Sequence, residues 1–220
     1  MTLLLAERIE KFFGSSHVLK GISLCLQKGR SIAIIGKSGA GKSTLLSILG
    51  LLEKPSKGSV ELLGTQVPCA TAAATRNRHI GFVFQFHHLL EDESALYNVL
   101  LPANIARLPL QKGSPAHARA LALLDSMHML PYKDTSVKYL SGGEKQRIAI
   151  ARALCNTPEL ILADEPSGNL DRSTSEGVHS LLLDLCRKEQ QGLIIATHDE
   201  KLAALCDEIY LLENGLLCQI

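Results

Sequence analysis

A chain of 220 residues with 46% hydrophobic and only 4% aromatic side chains can bury a full aliphatic core as one domain, or one domain with a small lobe. Its net charge of +1 supplies no global field for nucleic acid or acidic lipid, so either partner would need a local patch. No apolar run reaches the roughly 18 residues of a membrane-spanning helix, and Glu7, Arg8 and Glu10 interrupt the opening apolar stretch before it could act as a signal peptide. The six cysteines, at 25, 69, 155, 186, 206 and 218, form no C-x-x-C pair. They read as idle thiols of a reducing compartment, not as a disulfide framework or zinc site, in a chain that is cytosolic or peripheral to a membrane.

In chain order, two strands are expected near Leu3–Ile9 and Val18–Leu26, joined by a turn at Phe13-Gly14-Ser15-Ser16. The apolar run Ser31–Ile35 then leads into Gly36-Lys37-Ser38-Gly39-Ala40-Gly41-Lys42-Ser43-Thr44, which fits G-x-x-x-x-G-K-[ST] at every fixed position and is followed by a helical run. Glycines at 36, 39 and 41 let backbone N–H groups turn inward around an anion, and the helix opening near Lys42 adds free donors and a positive dipole end. Lys42 supplies a charge for the β- and γ-phosphates, and Ser43 a hydroxyl for Mg²⁺. A nucleoside triphosphate is the expected ligand.

Beyond the loop, Pro55–Gly58 turns into a strand at Ser59–Leu63, then come a short helix at Thr71–Asn77 and a strand at His79–Phe84. From Glu91 to Tyr139 helical periodicity dominates, punctuated by Pro102, Pro109, Gly113-Ser114-Pro115 and Pro131, as for a helical lobe inserted into an α/β core. The order then returns to helix (142–155), strand (159–163), helix (173–189), strand (192–197), helix (199–205) and strand (208–212), with an Asn214-Gly215 hairpin signal before a last strand. Alternating strands and helices argue for a mainly parallel sheet covered on both faces.

Three further constellations carry chemistry. The apolar strand ending at Asp164-Glu165 delivers two carboxylates to the rim where the phosphate loop opens, with Asp164 suited to Mg²⁺ and Glu165 to polarising a water. Ser141-Gly142-Gly143-Glu144 opens a helix with the S-x-x-E capping box, and the glycine pair inside its first turn, at a cost of roughly 1 kcal/mol each, clears room for a close anion. One triphosphate does not need two helix N-termini from one chain; a site shared between two copies would use both. Gln85 and His198 each follow a strand and gain weight only from these neighbours, while Phe12 and Phe13 are equally suited to stacking on a base or to packing.

In this order the set resembles the nucleotide-binding domain of ATP-binding cassette (ABC) transporters over essentially the whole chain. The matching pieces are the Walker A loop 36–44, Gln85 of the Q-loop, the signature Ser141–Gln146, the Walker B acids Asp164 and Glu165, the D-loop Ser167-Gly168-Asn169-Leu170-Asp171 and the switch histidine His198. The resemblance implies a P-loop NTPase core with a mainly parallel sheet, an N-terminal antiparallel β subdomain and an inserted α-helical subdomain. It implies a single domain over 1–220, with about 1–90 and 156–220 as core and about 91–155 as the helical part.

It also implies catalysis by Glu165, His198 and Gln85, Mg²⁺ at Ser43, Gln85 and Asp164, and ATP held by Phe13, residues 36–44, and Ser141, Gly142, Gly143 and Glu144. The expected assembly is an ATP-dependent head-to-tail homodimer on two integral-membrane permease subunits, peripheral to the cytoplasmic face of an inner membrane. A narrower likeness, at Gln85-Phe86-His87-His88-Leu89-Leu90 and at Asp164–Asp171, is to ATPases of lipoprotein-releasing systems, with cell-division regulators and macrolide or peptide exporters as the alternatives. Phe13, Ser167 and Glu91 depart from the more usual Tyr, Thr and Pro of that pattern.

Overall fold

The central strands are buried along nearly their whole length, and the face to which each side chain points decides the layering. The computed structural model describes residues 1–166 and 172–220. In chain order the elements are β1 (Thr2–Phe13), β2 (Ser16–Gln27), β3 (Ser31–Ile35), α1 (Lys42–Leu49), β4 (Lys57–Leu62), β5 (Thr65–Gln66), α2 (Ala72–His79) and β6 (Ile80–Val83). They continue with α3 (Ala95–Ile105), α4 (Pro115–Ser126), α5 (Gly142–Leu154), β7 (Leu160–Asp164), α6 (Arg172–Lys188), β8 (Gly192–Thr197), α7 (Glu200–Ala203), β9 (Glu208–Glu213) and β10 (Leu216–Gln219). The expected D-loop, Ser167–Asp171, lies outside the described residues.

A six-stranded sheet in the order β10-β9-β3-β8-β7-β6 is parallel except for the β9–β10 hairpin at its edge. Successive side chains of a strand point to opposite faces. Ile32, Ile34, Leu160, Leu162, Ile194 and Ala196 therefore join one core with α1 and the first strands, while Ile161, Ala163, Leu193 and Ile195 join a second core with the helices α3 to α6. Both faces of the sheet are covered, as runs such as Leu193-Ile194-Ile195 demand. One face, however, is covered by α1 and a second sheet, β2-β1-β4-β5, which is antiparallel throughout.

The differences from expectation have local causes. β1 and β2 run well past Ile9 and start before Val18, so the turn shrinks to Gly14-Ser15; bulges in their register let the ribbon stay paired across polar residues. α3 passes through Pro102 instead of stopping there. The proline sits in the last turn, and its carbonyl still accepts from Ala106 N at 3.0 Å and from Asn77 Nδ2 at 3.1 Å. Pro115, by contrast, begins α4 behind the Ser114 cap, where a missing N–H costs nothing. Among the described residues between 91 and 139 the only strand-like pairing is a bridge from Ser94 to Ser136. No described helix is long and apolar enough to cross a membrane, and all six cysteines are free thiols.

Candidate active site

β3, β7 and β8 lie side by side and parallel, so their carboxyl ends release the phosphate loop, Asp164-Glu165 and His198 at one rim. A cleft of about 780 Å³ forms there, lined by Phe13 and Val18 from the antiparallel sheet, Ser38, Gly39 and Gly41 to Thr44 from the loop, and Gln85, Asp164, Glu165 and His198.

Two loop glycines are needed for different reasons. A Cβ on Gly36 would stand 2.4 Å from the Leu212 carbonyl of β9, so the loop leaves β3 pressed against the neighbouring strand. Gly39 instead meets open space, but its φ of +79° belongs to the left-handed region. Gly41, the N-cap of α1, offers no side-chain acceptor to the first turn of the helix. Those N–H donors face the cleft with the dipole's positive end behind them. Gly36, Lys37 and Ala40, also expected to hold ATP, are not among the residues that line the cleft; Ala40 N donates to Lys37 O at 3.2 Å within the loop.

Lys42 is only 8% exposed, and its ammonium is compensated by the Gly36 carbonyl at 2.7 Å, the Lys37 carbonyl at 3.3 Å and Glu165 Oε1 at 3.9 Å. Asp164 closes β7 and accepts a hydrogen bond from the Ser43 hydroxyl. Burial pushes its carboxyl above the usual carboxylate range, with that hydrogen bond pulling it back, Glu165 pushing further up and Lys42 pulling down.

Alternation along β7 would aim Asp164 and Glu165 at opposite faces, yet both line the cleft. The chain has left the strand at Glu165, whose φ is +45°. A left-handed conformation is costly for a residue with a Cβ and is held here by the Glu165 N–H donating to Ala196 O at 2.8 Å. The carboxylate then receives the Thr197 hydroxyl at 3.4 Å, the His198 N–H at 3.3 Å and the His198 ring at 2.8 Å through Nδ1. With Glu165 ionised, Nδ1 must carry the proton, which leaves Nε2 for whatever enters the cleft.

Phe13 and Phe12 separate cleanly. Phe13 is half exposed, lines the cleft and has the Lys11 ammonium 5.1 Å from its ring centroid. Phe12 faces away and stacks on His17, with ring centroids 3.9 Å apart.

Ser141, Gly142, Gly143 and Glu144 are not in this cleft. They open α5, where both halves of the capping box form: Glu144 N donates to Ser141 Oγ at 3.4 Å, and Ser141 N donates to Glu144 Oε2 at 2.7 Å. The fit to Mg²⁺ rests on donor chemistry. Ser43, Gln85 and Asp164 bring oxygens to one cleft, and the described residues hold no cluster of three or more His, Cys, Asp or Glu that could cage a metal. That is the arrangement of a hard cation held by one or two side chains together with phosphate oxygens.

A family model for the ABC transporter matches residues 19–168 of this sequence. The chain belongs to the ABC transporter family. Among its ABC relatives, a protein of Protochlamydia amoebophila named lipoprotein-releasing system ATP-binding protein LolD is 50% identical over 200 residues, 91% of this chain and 88% of its own. The protein of the same name from Bacteroides fragilis is 46% identical over 96% of this chain and 98% of its own. Of solved ABC structures, a dimeric post-hydrolysis cassette bound to ADP and Pi superposes with a TM-score of 0.89 at 32% identity, covering 99% of this chain and 98% of that one. A dimeric bacterial ABC transporter cassette gives 0.88 at 34% identity, covering 98% and 96%.

Sequence reasoning missed three features around the site. The left-handed backbone at Glu165 carries no sequence signal. Arg152 stands in the apolar stretch Ile148–Leu154 of α5 and reaches the carbonyls of His87 and His88, and a cation in such a stretch was the signal that a partner existed. The ring of His87 meets the Gly142 backbone, and burial, with Lys145, Arg152 and His88 nearby, holds its pKa below the ordinary imidazole value against that hydrogen bond.

Proposed function

We propose that this chain is the ATP-hydrolysing subunit of a membrane transporter that releases lipoproteins from an inner membrane. The convergence of Lys42, Ser43, Asp164, Glu165 and His198 in one cleft carries the ATPase part of the reading. The lipoprotein-releasing relatives, 43 to 50% identical over most of the chain, support the cargo. No observation favours the cell-division or exporter alternatives.

Phe13 stacks on the adenine face, the loop amides and Lys42 hold the phosphates, and Ser43, Gln85 and Asp164 hold Mg²⁺. The bound cation would spread the charge of the phosphate oxygens. Glu165 takes a proton from a water as its oxygen bonds to the γ-phosphorus, and the bond to the bridging oxygen breaks to leave ADP and phosphate. His198 keeps Glu165 aimed and presents Nε2 to the transferring group.

In a head-to-tail pair, Ser141, Gly142, Gly143 and Glu144 of one copy cover the nucleotide in the other, and the dimeric cassette structures support that arrangement. Residues of about 1–90 and 156–220 act as the nucleotide core and about 91–155 as the moving helical part. The pair sits on two permease subunits at the cytoplasmic face. Purification from membranes with its partners, followed by ATP-dependent release of a lipoprotein from proteoliposomes, tests the reading. ATP turnover without release would remove the cargo assignment and leave the ATPase standing.

A further inference from the structure

Two lysines are buried among the described residues, each 8% exposed, and of the two Lys42 lines the nucleotide cleft. The other is Lys11, near the end of β1, where Phe12 and Phe13 close the strand. A lysine is rarely buried without partners. The Lys11 ammonium donates to Glu53 Oε1 at 2.5 Å and to the Lys54 carbonyl at 2.8 Å, and it sits over the Phe13 ring, 5.1 Å from the centroid. At that distance a positive charge is drawn to the negative face of an aromatic ring. One face of Phe13 is thus taken from within the protein, and the half-exposed ring keeps the other for a flat ligand in the cleft.

Glu53 and Lys54 are themselves tied to the phosphate loop. Leu52 N and Glu53 N donate to Ser47 O of α1 at 2.8 and 3.1 Å, and α1 opens directly from that loop. The strand is fastened to the same segment by its backbone, with Ser56 N donating to Glu10 O at 2.8 Å and Phe12 N to Ser56 Oγ at 3.1 Å. Those bonds fix the path of the strand; the ammonium fixes the ring. We propose that Lys11 is a positioning residue for the base end of the nucleotide: it holds the Phe13 ring at a set spacing from the phosphate loop, and so favours ligands that carry a planar base along with their phosphates. This deepens the ATPase reading above and rests on its assignment of Phe13 to adenine.

The test uses the full chain with MgATP as substrate and inorganic tripolyphosphate as a competing ligand that has phosphates and no base. The variants are Lys11→Met, Lys11→Arg, Phe13→Ala and the double change Lys11→Met with Phe13→Ala. Lys11→Met keeps an apolar stem without the charge. It is expected to raise KM for MgATP about fivefold, on the order of one cation–π contact, while kcat and the inhibition constant of tripolyphosphate stay within about twofold. Lys11→Arg keeps a cation for the ring and recovers most of the loss. The double variant is expected to have a KM no higher than that of Phe13→Ala alone, because both changes remove one contact.

An unchanged KM in Lys11→Met, a tripolyphosphate constant that rises in parallel with KM, or losses that multiply in the double variant would overturn the proposal and leave Lys11 a packing residue. If Lys11→Met does not fold, Lys11→Gln, which keeps a donor for the Lys54 carbonyl but no charge for the ring, decides by the same criterion. An unchanged KM in Phe13→Ala would fail the adenine assignment itself. A raised KM there beside an unchanged one in Lys11→Met fails this inference alone.

Discussion

The cleft at the ends of β3, β7 and β8 and the opening turn of α5 are both helix N-termini with glycines around them, but they are finished differently. The first is concave, leaves the donors of α1 without a side-chain cap, and gathers a buried lysine and two carboxylates. The second is exposed and satisfied by its own capping box. An uncapped turn in a hollow can hold an anion alone, whereas a capped turn on the surface becomes a binding element only when another surface faces it.

The sharpest break between the two regions comes from Glu165→Gln. It keeps the size and the left-handed backbone but cannot take a proton, so phosphate release should fall by about 10²- to 10⁴-fold while nucleotide titration shows binding retained. Near-normal turnover would move the base elsewhere. Lys42→Ala removes the cleft's charge and should weaken ATP binding by about ten- to a hundredfold, the worth of a charge-assisted hydrogen bond. Unchanged affinity in that titration would take the phosphates away from Lys42.

Ser141→Ala should do the reverse. It costs the helix about 1 kcal/mol of capping, read as a small drop in Tm, and slows turnover without changing ATP binding to single chains. Mixing Lys42→Ala chains with Ser141→Arg chains regenerates one intact site per pair if the two regions meet across a dimer. No recovered turnover in folded, pairing chains would end the shared-site model.

The smallest effect expected is with pH. Burial is the leading cause that holds both His87 and His179 below the ordinary imidazole pKa. The unfolded chain therefore takes up protons first as pH falls, so their contribution to stability is intact above the ordinary imidazole range and lost below it. Tm should decline through that window, and His87→Gln should flatten part of the decline. An unflattened slope would assign it to other groups.

How much of this was legible depends on how local the physics is. The phosphate loop, the acids at the end of β7 and the capping box are each fixed by neighbours within a few residues, and all were readable. The antiparallel second sheet was expected from the family resemblance and is present, but its pairing is not a local pattern: β1 pairs with both β2 and β4, and the two-residue strand β5 is too short to leave one. Arg152 meets carbonyls 64 and 65 residues away, a distance at which a single sequence shows that a cation needs a partner but not which one.

Gly36 has no room for a side chain because the carbonyl of Leu212 lies where a Cβ would be. The floor beneath the nucleotide loop is thus laid by β9, one of the last strands made. A ribosome that has finished the loop and its lysine has not yet built the surface that shapes them. Removing the chain from Glu208 onward would take away none of the residues that line the cleft, and should nonetheless leave a protein unable to hold a triphosphate.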